Sequence, residues 1–150
     1  MKIKLKRAEA GDIKFLFGLR NKPYVYKNSG TPRPIEWQEH IDWLGKVLSG
    51  EANKELFIVK FGEKSIGQVR FDYNKRQVIV SISLLKEFQG RGIAFLALQK
   101  AIKKISKEKK VKAFLAEIHQ ENIASQKLFE KLGFQFQSQK DIWKTYEKRI

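Results

Sequence analysis

A strand that runs into a glycine turn and then into an amphipathic helix is the feature that most constrains this chain. Residues 77–85 are rich in Val and Ile, which predicts a strand. The sequence QGRGIA follows at residues 89–94, and apolar residues then recur at helical spacing to about Lys107. The sequence therefore predicts a strand, a tight turn and a helix in direct succession.

Further strands and helices are predicted on both sides of this unit. Apolar runs between residues 56 and 85 indicate an antiparallel meander, residues 111–118 a further strand, and the C-terminal residues a closing hairpin. Helices are expected after Asp12, which we expect to cap the first one, and over residues 122–132. Because no repeat or linker is visible, we expect one α+β domain over residues 1–150.

The segment between the first helix and the meander is predicted to contain a loop followed by a helix. Residues 21–34 contain prolines and the SGTP cluster, which predicts a long loop. A helix is expected to begin at Pro34. Its apolar stripe is expected to be Trp37, Ile41, Leu44 and Leu48. We expect His40 to be half-buried as a polar contact.

Composition excludes several classes of protein. The chain has no Cys, which excludes a disulfide framework and a cysteine nucleophile, and its two His supply a metal site poorly. No apolar run is long enough to span a bilayer, and no apolar stretch follows the basic residues at the start, as a signal peptide requires. We therefore expect a cytoplasmic protein that uses no metal and binds no membrane.

A formal charge of +15 indicates that the protein attracts anions. The charge alone does not choose between nucleic acid, an anionic membrane surface and a phosphate-rich metabolite. Seven lysines lie between residues 100 and 112, and we interpret them as the solvated face of a helix. Nucleic-acid binding is not favoured there, because no aromatic residues are interleaved for base stacking.

The turn at residues 89–94 is a candidate anion site. Glycines let main-chain N–H groups approach an oxygen-rich anion, and the free N–H groups of a first helical turn favour negative charge. Arg91 adds a charged donor, and pyrophosphate is the natural ligand. The spacing is neither the dinucleotide-binding pattern nor a P-loop, and from these residues alone a tight turn without a ligand is equally consistent.

A second stretch, which begins at Asn122, makes the motif at residues 89–94 more specific. Asn122 stands where a strand gives way to a helix, where it can cap that helix or bond an outside amide. Together the stretches resemble the GCN5-related N-acetyltransferase (GNAT) family, whose signature Gln/Arg-x-x-Gly-x-Gly/Ala corresponds to residues 89–94. The downstream family pattern corresponds to Asn122, Ser125, Phe129 and residues 132–134 (LGF), so the resemblance covers essentially the whole chain.

The resemblance implies a fold and a cofactor. The fold would be a mixed, mostly antiparallel twisted sheet flanked by helices, with acetyl-coenzyme A in a splay between parallel strands at residues 77–85 and 111–118. Its pyrophosphate would lie on the turn and its pantetheine arm along the splay. The residues implied to bind the cofactor are Leu84, Leu85, Gln89, Gly90, Arg91, Gly92, Ile93, Ala94, Asn122, Ser125 and Phe129.

The implied chemistry is direct attack of an amine on the thioester. Glu117 is the candidate general base, since it lies on the second strand of the splay, twelve residues before Phe129; a solvated or ion-paired Glu is the alternative. Several relatives have a Tyr at the place of Phe129 to protonate the leaving thiolate, and Phe129 has no proton to give. Tyr24, Tyr26, Ser125 or water would then take that role.

A finer resemblance concerns the acceptor. Arg20-Asn21, together with Glu39-His40 and the C-terminal tail, resembles a subgroup that acetylates the 4-amino group of nucleotide-linked dideoxysugars. Arg20 and Asn21 are then expected to bind substrate, with Arg20 on a nucleotide phosphate, unless Arg20 only stabilises a helix C-terminus. The alternatives are a ribosomal-protein or peptide N-terminal acetyltransferase, and a non-catalytic basic module that binds coenzyme A or nucleic acid. A homodimer is compatible with the family.

Overall fold

The fold is built on one seven-stranded sheet in a computed structural model that describes residues 2–75 and 77–150. The strands are β1 (Ile3–Arg7), β2 (Lys54–Phe61), β3 (Lys64–Asn74), β4 (Gln77–Leu84), β5 (Ala113–His119), β6 (Gln135–Lys140) and β7 (Trp143–Arg149). The helices are α1 (Ile13–Arg20), α2 (Pro23–Tyr26), α3 (Trp37–Ser49), α4 (Ile93–Glu108) and α5 (Ile123–Lys131). The strand order is β1-β2-β3-β4-β5-β7-β6.

The sheet is antiparallel at every strand pair except β4–β5. The parallel pairing runs only from Gln77↔Ala113 to Ile79↔Leu115, after which β4 and β5 part. The predicted mixed sheet and the predicted splay are thus confirmed. The meander and the closing hairpin of β6 and β7 are also confirmed.

Helices cover both faces of the sheet because residues alternate along its strands. On β2, Phe57 and Val59 join the main core under α4 and α5, whereas Leu56 and Ile58 join a second core under α1 and α3. The predicted buried face of α4 is confirmed, since Leu98, Ile102 and Ile105 are buried in the main core. Within the described residues, no helix is both long and apolar enough to cross a membrane.

The region before β2 departs from the sequence prediction. The predicted loop contains the short helix α2, and α3 begins at Trp37 rather than at Pro34, with Glu36 as its N-cap residue. Asp12 precedes α1 without capping it, because its carboxylate instead accepts hydrogen bonds from the Glu9 N–H and from Lys6.

The buried face of α3 also differs from the predicted stripe. Trp37 and Leu48 are 40% and 42% exposed, whereas His40 is only 1% exposed. His40, Leu44 and Val47 form the buried face. His40 was expected to be only half-buried, and its full burial is tolerated because the imidazole Nε2 lies 3.1 Å from the carbonyl oxygen of Ile13.

A close approach between β3 and β4 requires a glycine at position 67. A Cβ atom built on Gly67 would lie 2.4 Å from the carbonyl oxygen of Ser83 and 2.5 Å from a methyl carbon of Leu84. The Leu84 side chain is buried in the core, so it cannot move aside freely. Gly67 therefore fixes β3 against the end of β4, where the splay opens.

Gly67→Ala is expected to lower the free energy of unfolding by about 1–3 kcal/mol, because the added methyl group forces the two strands apart. Urea denaturation followed by circular dichroism measures it. Gly45→Ala is the matched control: Gly45 is an exposed residue inside α3 with no atom within 4 Å of a Cβ, and there the same change should stabilise by about 0.5–1 kcal/mol. Equal stability of the Gly67→Ala protein and the original would contradict this account.

Candidate functional site

The gap between β4 and β5 presents main-chain groups of β4. The Leu85 N–H donates to the carbonyl of Ile66 at 2.8 Å, which fixes the alternation of the β3–β4 ladder. In that alternation the main-chain groups of Ile82 and Leu84 point away from β3, toward the gap. The Leu85 N–H is therefore taken by Ile66, whereas Leu84 presents its N–H to the gap. The cofactor contact that the resemblance implies for Leu85 stays a prediction. The Leu84 carbonyl accepts a hydrogen bond from Gln89 Nε2 at 3.1 Å.

The opposite edge of the gap is formed by β5. The Gln120 N–H donates to Ile142 at 2.7 Å, and the Ile150 N–H donates to Lys112 at 3.0 Å, so even-numbered residues of β5 pair with β7. The main-chain groups of odd-numbered residues, including Glu117, consequently face the gap. Two strand edges thus diverge with main-chain donors and acceptors turned toward each other.

The glycine turn lies at the mouth of this gap. Gly90 and Gly92 have φ values of +75° and +77°, which L side chains rarely adopt, and a Cβ at either would meet no atom within 4 Å. Gly92 is the N-cap residue of the 16-residue helix α4. No side chain of the N-cap residue caps α4, so its first-turn N–H groups are available to an anion, and both glycines beside them border open space.

The side chains of the turn behave differently from its backbone. Ile93 is buried in the main core, so only its N–H is directed to a ligand. The Arg91 guanidinium lies 5.4 Å from the ring centre of Phe88. Arg91 is not among the residues that line the cleft described next, so its expected contact with a ligand stays a prediction.

A cleft of about 630 Å³ runs from the glycine turn to α5. It is lined by Leu84, Gln89, Gly90, Gly92, Ala94 and Asn122, all expected from the sequence. Lys27 and Lys131 also line it and supply cations that sequence analysis missed, because they lie far from the motif along the chain. Asn122 caps α5, since its Oδ1 accepts a hydrogen bond from the Ser125 N–H at 3.3 Å.

A polar chamber of about 460 Å³ adjoins the cleft, with which it shares Ile82, Ser83 and Ser125. Its floor is the sheet face opposite the main core. Val69 and Phe71 of β3 are fully buried in that core, while Gln68, Arg70 and Asp72 alternate with them and line the chamber. Sequence analysis missed these three, although the alternation of QVRFD could have identified them.

Glu117 and Phe129 both line the chamber, and the sequence also predicts that they lie close together. The Glu117 side chain is exposed, and among the described residues it forms no hydrogen bond or salt bridge. Phe129 is 3% exposed and packs edge-to-face on Phe134, with ring centres 5.0 Å apart. The carboxylate is thus unpaired among the described residues, while the phenyl ring forms part of the chamber wall.

Arg20 and Asn21 form hydrogen bonds to the main chain of residues 31–35. Arg20 donates to the carbonyl oxygens of Thr31 and Arg33 at 2.9 and 3.0 Å. The Asn21 amide both donates to and accepts from the main chain of Ile35, at 3.1 and 2.8 Å. Arg20 also lines the chamber, whereas Asn21 lines neither chamber nor cleft, so the substrate contact expected of Asn21 stays a prediction. Burial, together with the Arg33 charge, lowers the pKa of Arg20.

The helix α2 forms a roof where the chamber and the cleft meet. Val25 and Asn28 line both cavities. The Tyr24 hydroxyl accepts a hydrogen bond from the Lys86 N–H at 3.1 Å, which ties α2 to the segment just after β4. Of the three expected proton donors, Ser125 lines both cavities, Tyr24 lines only the cleft, and Tyr26 lines neither.

Comparisons with known proteins agree with this geometry. The family model of the acetyltransferase (GNAT) domain matches residues 2–135. A curated relative, the uncharacterized protein MJ1062 of Methanocaldococcus jannaschii, is 30% identical over 145 residues, which cover 89% of this chain and 28% of the relative. The chain thus spans little more than a quarter of that relative's length.

Two solved structures share the fold. The crystal structure of a domain from Methanocaldococcus jannaschii superposes with a TM-score of 0.88, at 24% identity and 99% coverage of each chain. RimL, a ribosomal L7/L12 α-N-protein acetyltransferase in complex with coenzyme A, superposes with a TM-score of 0.86, at 16% identity, covering 100% of this chain and 95% of the other.

Gly92→Val is expected to weaken coenzyme A binding at least tenfold, because a branched side chain would occupy the space in front of the first-turn N–H groups. Isothermal titration calorimetry measures the affinity. Gly50→Val is the matched control, because Gly50 has a similar φ of +84° and open surroundings but ends α3 outside the cleft. The Gly50→Val protein should be less stable than the original protein but should bind coenzyme A with the same affinity. Unaltered affinity of the Gly92→Val protein would contradict the placement of the diphosphate.

Proposed function

The chain belongs to the GNAT acetyltransferase family, and we propose that it is an acetyl-CoA-dependent N-acetyltransferase in which Glu117 is the general base that prepares the acceptor amine in the chamber. The observation that carries this proposal is an unpaired carboxylate lining the chamber at the edge of the open splay. Acetyl-CoA supplies the activated acetyl group as a thioester.

The residues that would hold acetyl-CoA divide between its two parts. The first-turn N–H groups of α4, with Lys27 and Lys131 nearby, would bind the diphosphate. The main-chain groups of Ile82 and Leu84 would bind the pantetheine arm as a neighbouring strand would. The open space in front of Gly90 and Gly92 supports this assignment, since the cradle has room for phosphate oxygens.

Glu117 has a defined task in this arrangement. A primary amine is largely protonated at neutral pH, and only the neutral form attacks a carbonyl carbon. An exposed carboxylate with no partner among the described residues accepts this proton directly or through one water molecule. Glu117 lies on β5 with its main chain toward the splay, which keeps the base beside the place where the thioester is expected.

The leaving thiolate requires a proton that Phe129 does not supply. Of Tyr24, Tyr26 and Ser125, only Ser125 lines both the chamber and the cleft. We therefore assign protonation of the thiolate to Ser125 or to water beside it. Phe129 contributes an apolar wall that keeps bulk water from the thioester.

The acceptor we propose first is an amino sugar linked to a nucleotide. Arg20 and Arg70 both line the chamber, and the net charge of +15 favours a polyanionic substrate. The N-terminal amine of a ribosomal protein is the second candidate, and it is equally supported by the likeness to the RimL structure. A cytoplasmic location suits both acceptors and stays a prediction, as does a homodimer.

Glu117→Gln is expected to lower kcat about 100-fold or more, because the amide cannot accept the ammonium proton. Coenzyme A affinity should stay unchanged, because Glu117 does not line the cleft. Glu63→Gln, an exposed change in the β2–β3 turn, is the control that should keep full activity. A Glu117→Gln protein with the original kcat would remove Glu117 from the mechanism.

An acceptor screen separates the two substrate candidates. Nucleotide-linked 4-amino sugars, polyamines and ribosomal N-terminal peptides would be offered with acetyl-CoA, and release of coenzyme A would be followed with a thiol reagent. We expect the nucleotide-linked amino sugar to give the highest kcat/KM, because its phosphates complement Arg20 and Arg70. A higher kcat/KM with the ribosomal peptide would overturn this choice of acceptor and leave the assignment of Glu117 standing.

A further inference from the structure

The chamber exposes a serine in the middle of the sheet. Ser81 belongs to β4, the central strand of the seven, and its side chain is exposed although helices cover both faces of the sheet. Val80 and Leu84 of the same strand are buried in the main core, so Ser81 and Ser83 face the other side, where both line the chamber. Within the described residues, the Ser81 hydroxyl forms no hydrogen bond. Ser81 therefore presents an accessible hydroxyl to the chamber.

The register of the sheet sets Ser81 opposite Glu117. The parallel pairing ends at Ile79↔Leu115, and the same offset, continued by two residues, joins Ser81 to Glu117. Both side chains line the chamber and both are exposed. Because the two strands are no longer paired at this level, their separation exceeds the spacing of paired strands, which is about 4.8 Å. The two side chains therefore lie on opposite edges of the splay, with room for a ligand atom between them.

The neighbouring strands leave this pair of side chains unoccupied. Arg70 lies opposite Ser81 on β3, and Thr145 lies opposite Glu117 on β7. The Arg70 side chain is instead directed to Asp72, with its Nε 3.0 Å from Asp72 Oδ1. In the part of the chain that the structure describes, neither Arg70 nor Thr145 donates a side-chain hydrogen bond to Ser81 or Glu117. The oxygen atoms of Ser81 and Glu117 are thus available to the same ligand.

The charges of the chamber direct an ammonium group to Glu117 rather than to Asp72. Four charged residues line the chamber, which are Arg20, Arg70, Asp72 and Glu117. Asp72 forms ion pairs with Arg70 at 3.0 Å and with Lys54 at 3.1 Å, and these cations repel a further cation. Glu117 has no ion-pair partner among residues 2–75 and 77–150. An ammonium group is therefore drawn to the edge of the splay where Glu117 lies.

We propose that the Ser81 hydroxyl is a second acceptor for the reacting amine, so that the nitrogen is held between Ser81 Oγ on β4 and the Glu117 carboxylate on β5. The inference rests on the proposed function and adds how the amine is oriented and which class of amine is preferred. After an ammonium group has given one proton to Glu117, a primary amine keeps two N–H groups and one lone pair. One N–H donates to a carboxyl oxygen of Glu117 and the other to Ser81 Oγ, which leaves the lone pair for the thioester carbon.

The hydroxyl of Ser81 forms no covalent bond in this scheme. The nitrogen bonds to the carbonyl carbon as the carbon–sulfur bond breaks, and the second nitrogen proton passes to the leaving thiolate. The proton held by Glu117 returns to solvent. A secondary amine keeps only one N–H after the first proton transfer, so one of the two acceptors is unused. Ser81 is therefore expected to favour primary amines over their N-methyl derivatives.

Two variants of equal shape test this contact. Ser81→Thr and Ser81→Val both introduce a β-branched side chain, which suits a strand, and they differ only in the hydroxyl. The probes are the best acceptor of the screen, a nucleotide-linked 4-amino sugar or a ribosomal N-terminal peptide, and its N-methyl derivative. With the primary amine, kcat/KM of the Ser81→Val protein should be about tenfold below that of the Ser81→Thr protein. With the N-methyl amine the two proteins should differ by less than about twofold.

Controls separate this effect from a change in folding or in cofactor binding. Coenzyme A affinity should be equal in the two Ser81 variants, because Ser81 lines the chamber and not the cleft. Ser138→Thr and Ser138→Val are the matched pair on β6, at an exposed position outside both cavities, and should have equal kcat/KM with each amine. Where neither Ser81 variant acetylates the N-methyl amine, the inhibition constant of the N,N-dimethyl derivative, whose ammonium has one N–H, replaces kcat/KM and should be equal in both.

The outcomes distinguish this inference from the proposed function. Equal kcat/KM of the two Ser81 variants with the primary amine, or equal losses with both amines, would overturn the Ser81 contact and leave Glu117 as the base. Full activity of the Glu117→Gln protein, with the difference between the Ser81 variants retained, would refute the general base and keep the contact. An original protein that acetylates no amine of the screen would refute the proposed function, and this inference with it.

Discussion

The short parallel pairing between β4 and β5 is the constraint on which the rest of the site depends. Hydrogen bonds join the two strands only as far as Ile79 and Leu115, and beyond that point their edges diverge. An open strand edge inside a protein is unfavourable unless another chain or a ligand pairs with it. The gap is therefore a site for an extended, hydrogen-bonding molecule, and the pantetheine arm of coenzyme A has that character.

Three features keep the gap open and shape its ends. Gly67 permits β3 to approach the end of β4 closely, while the glycine turn leads the chain from β4 into α4. On the other edge, the buried Gln126 donates to the carbonyl oxygens of His119 and Gln120, which fixes α5 against the end of β5. The roof formed by α2 lies where the cleft and the chamber meet, and we propose the cleft for the cofactor and the chamber for the acceptor.

The sequence predicted the parts of the site that depend on neighbours along the chain. The strand–turn–helix unit was predictable because glycines, apolar alternation and helical spacing are local signals, and the position of Glu117 followed from its strand. The role of Arg20 and Asn21 was not predictable, because it depends on contacts with residues 31–35 that only the folded loop creates. His40 was misjudged for a similar reason: its burial depends on the packing of α3 against α1, which the apolar stripe alone placed incorrectly.

The central claim is that a diphosphate lies on the first-turn N–H groups of α4, at the mouth of the splay. The most direct measurement is a crystal structure of the protein with coenzyme A. The account predicts diphosphate oxygens within hydrogen-bond distance of the N–H groups of Ile93 and Ala94, with the pantetheine arm along Ile82 and Leu84. Coenzyme A bound elsewhere, or a turn whose N–H groups are satisfied by the protein's own side chains, would contradict it.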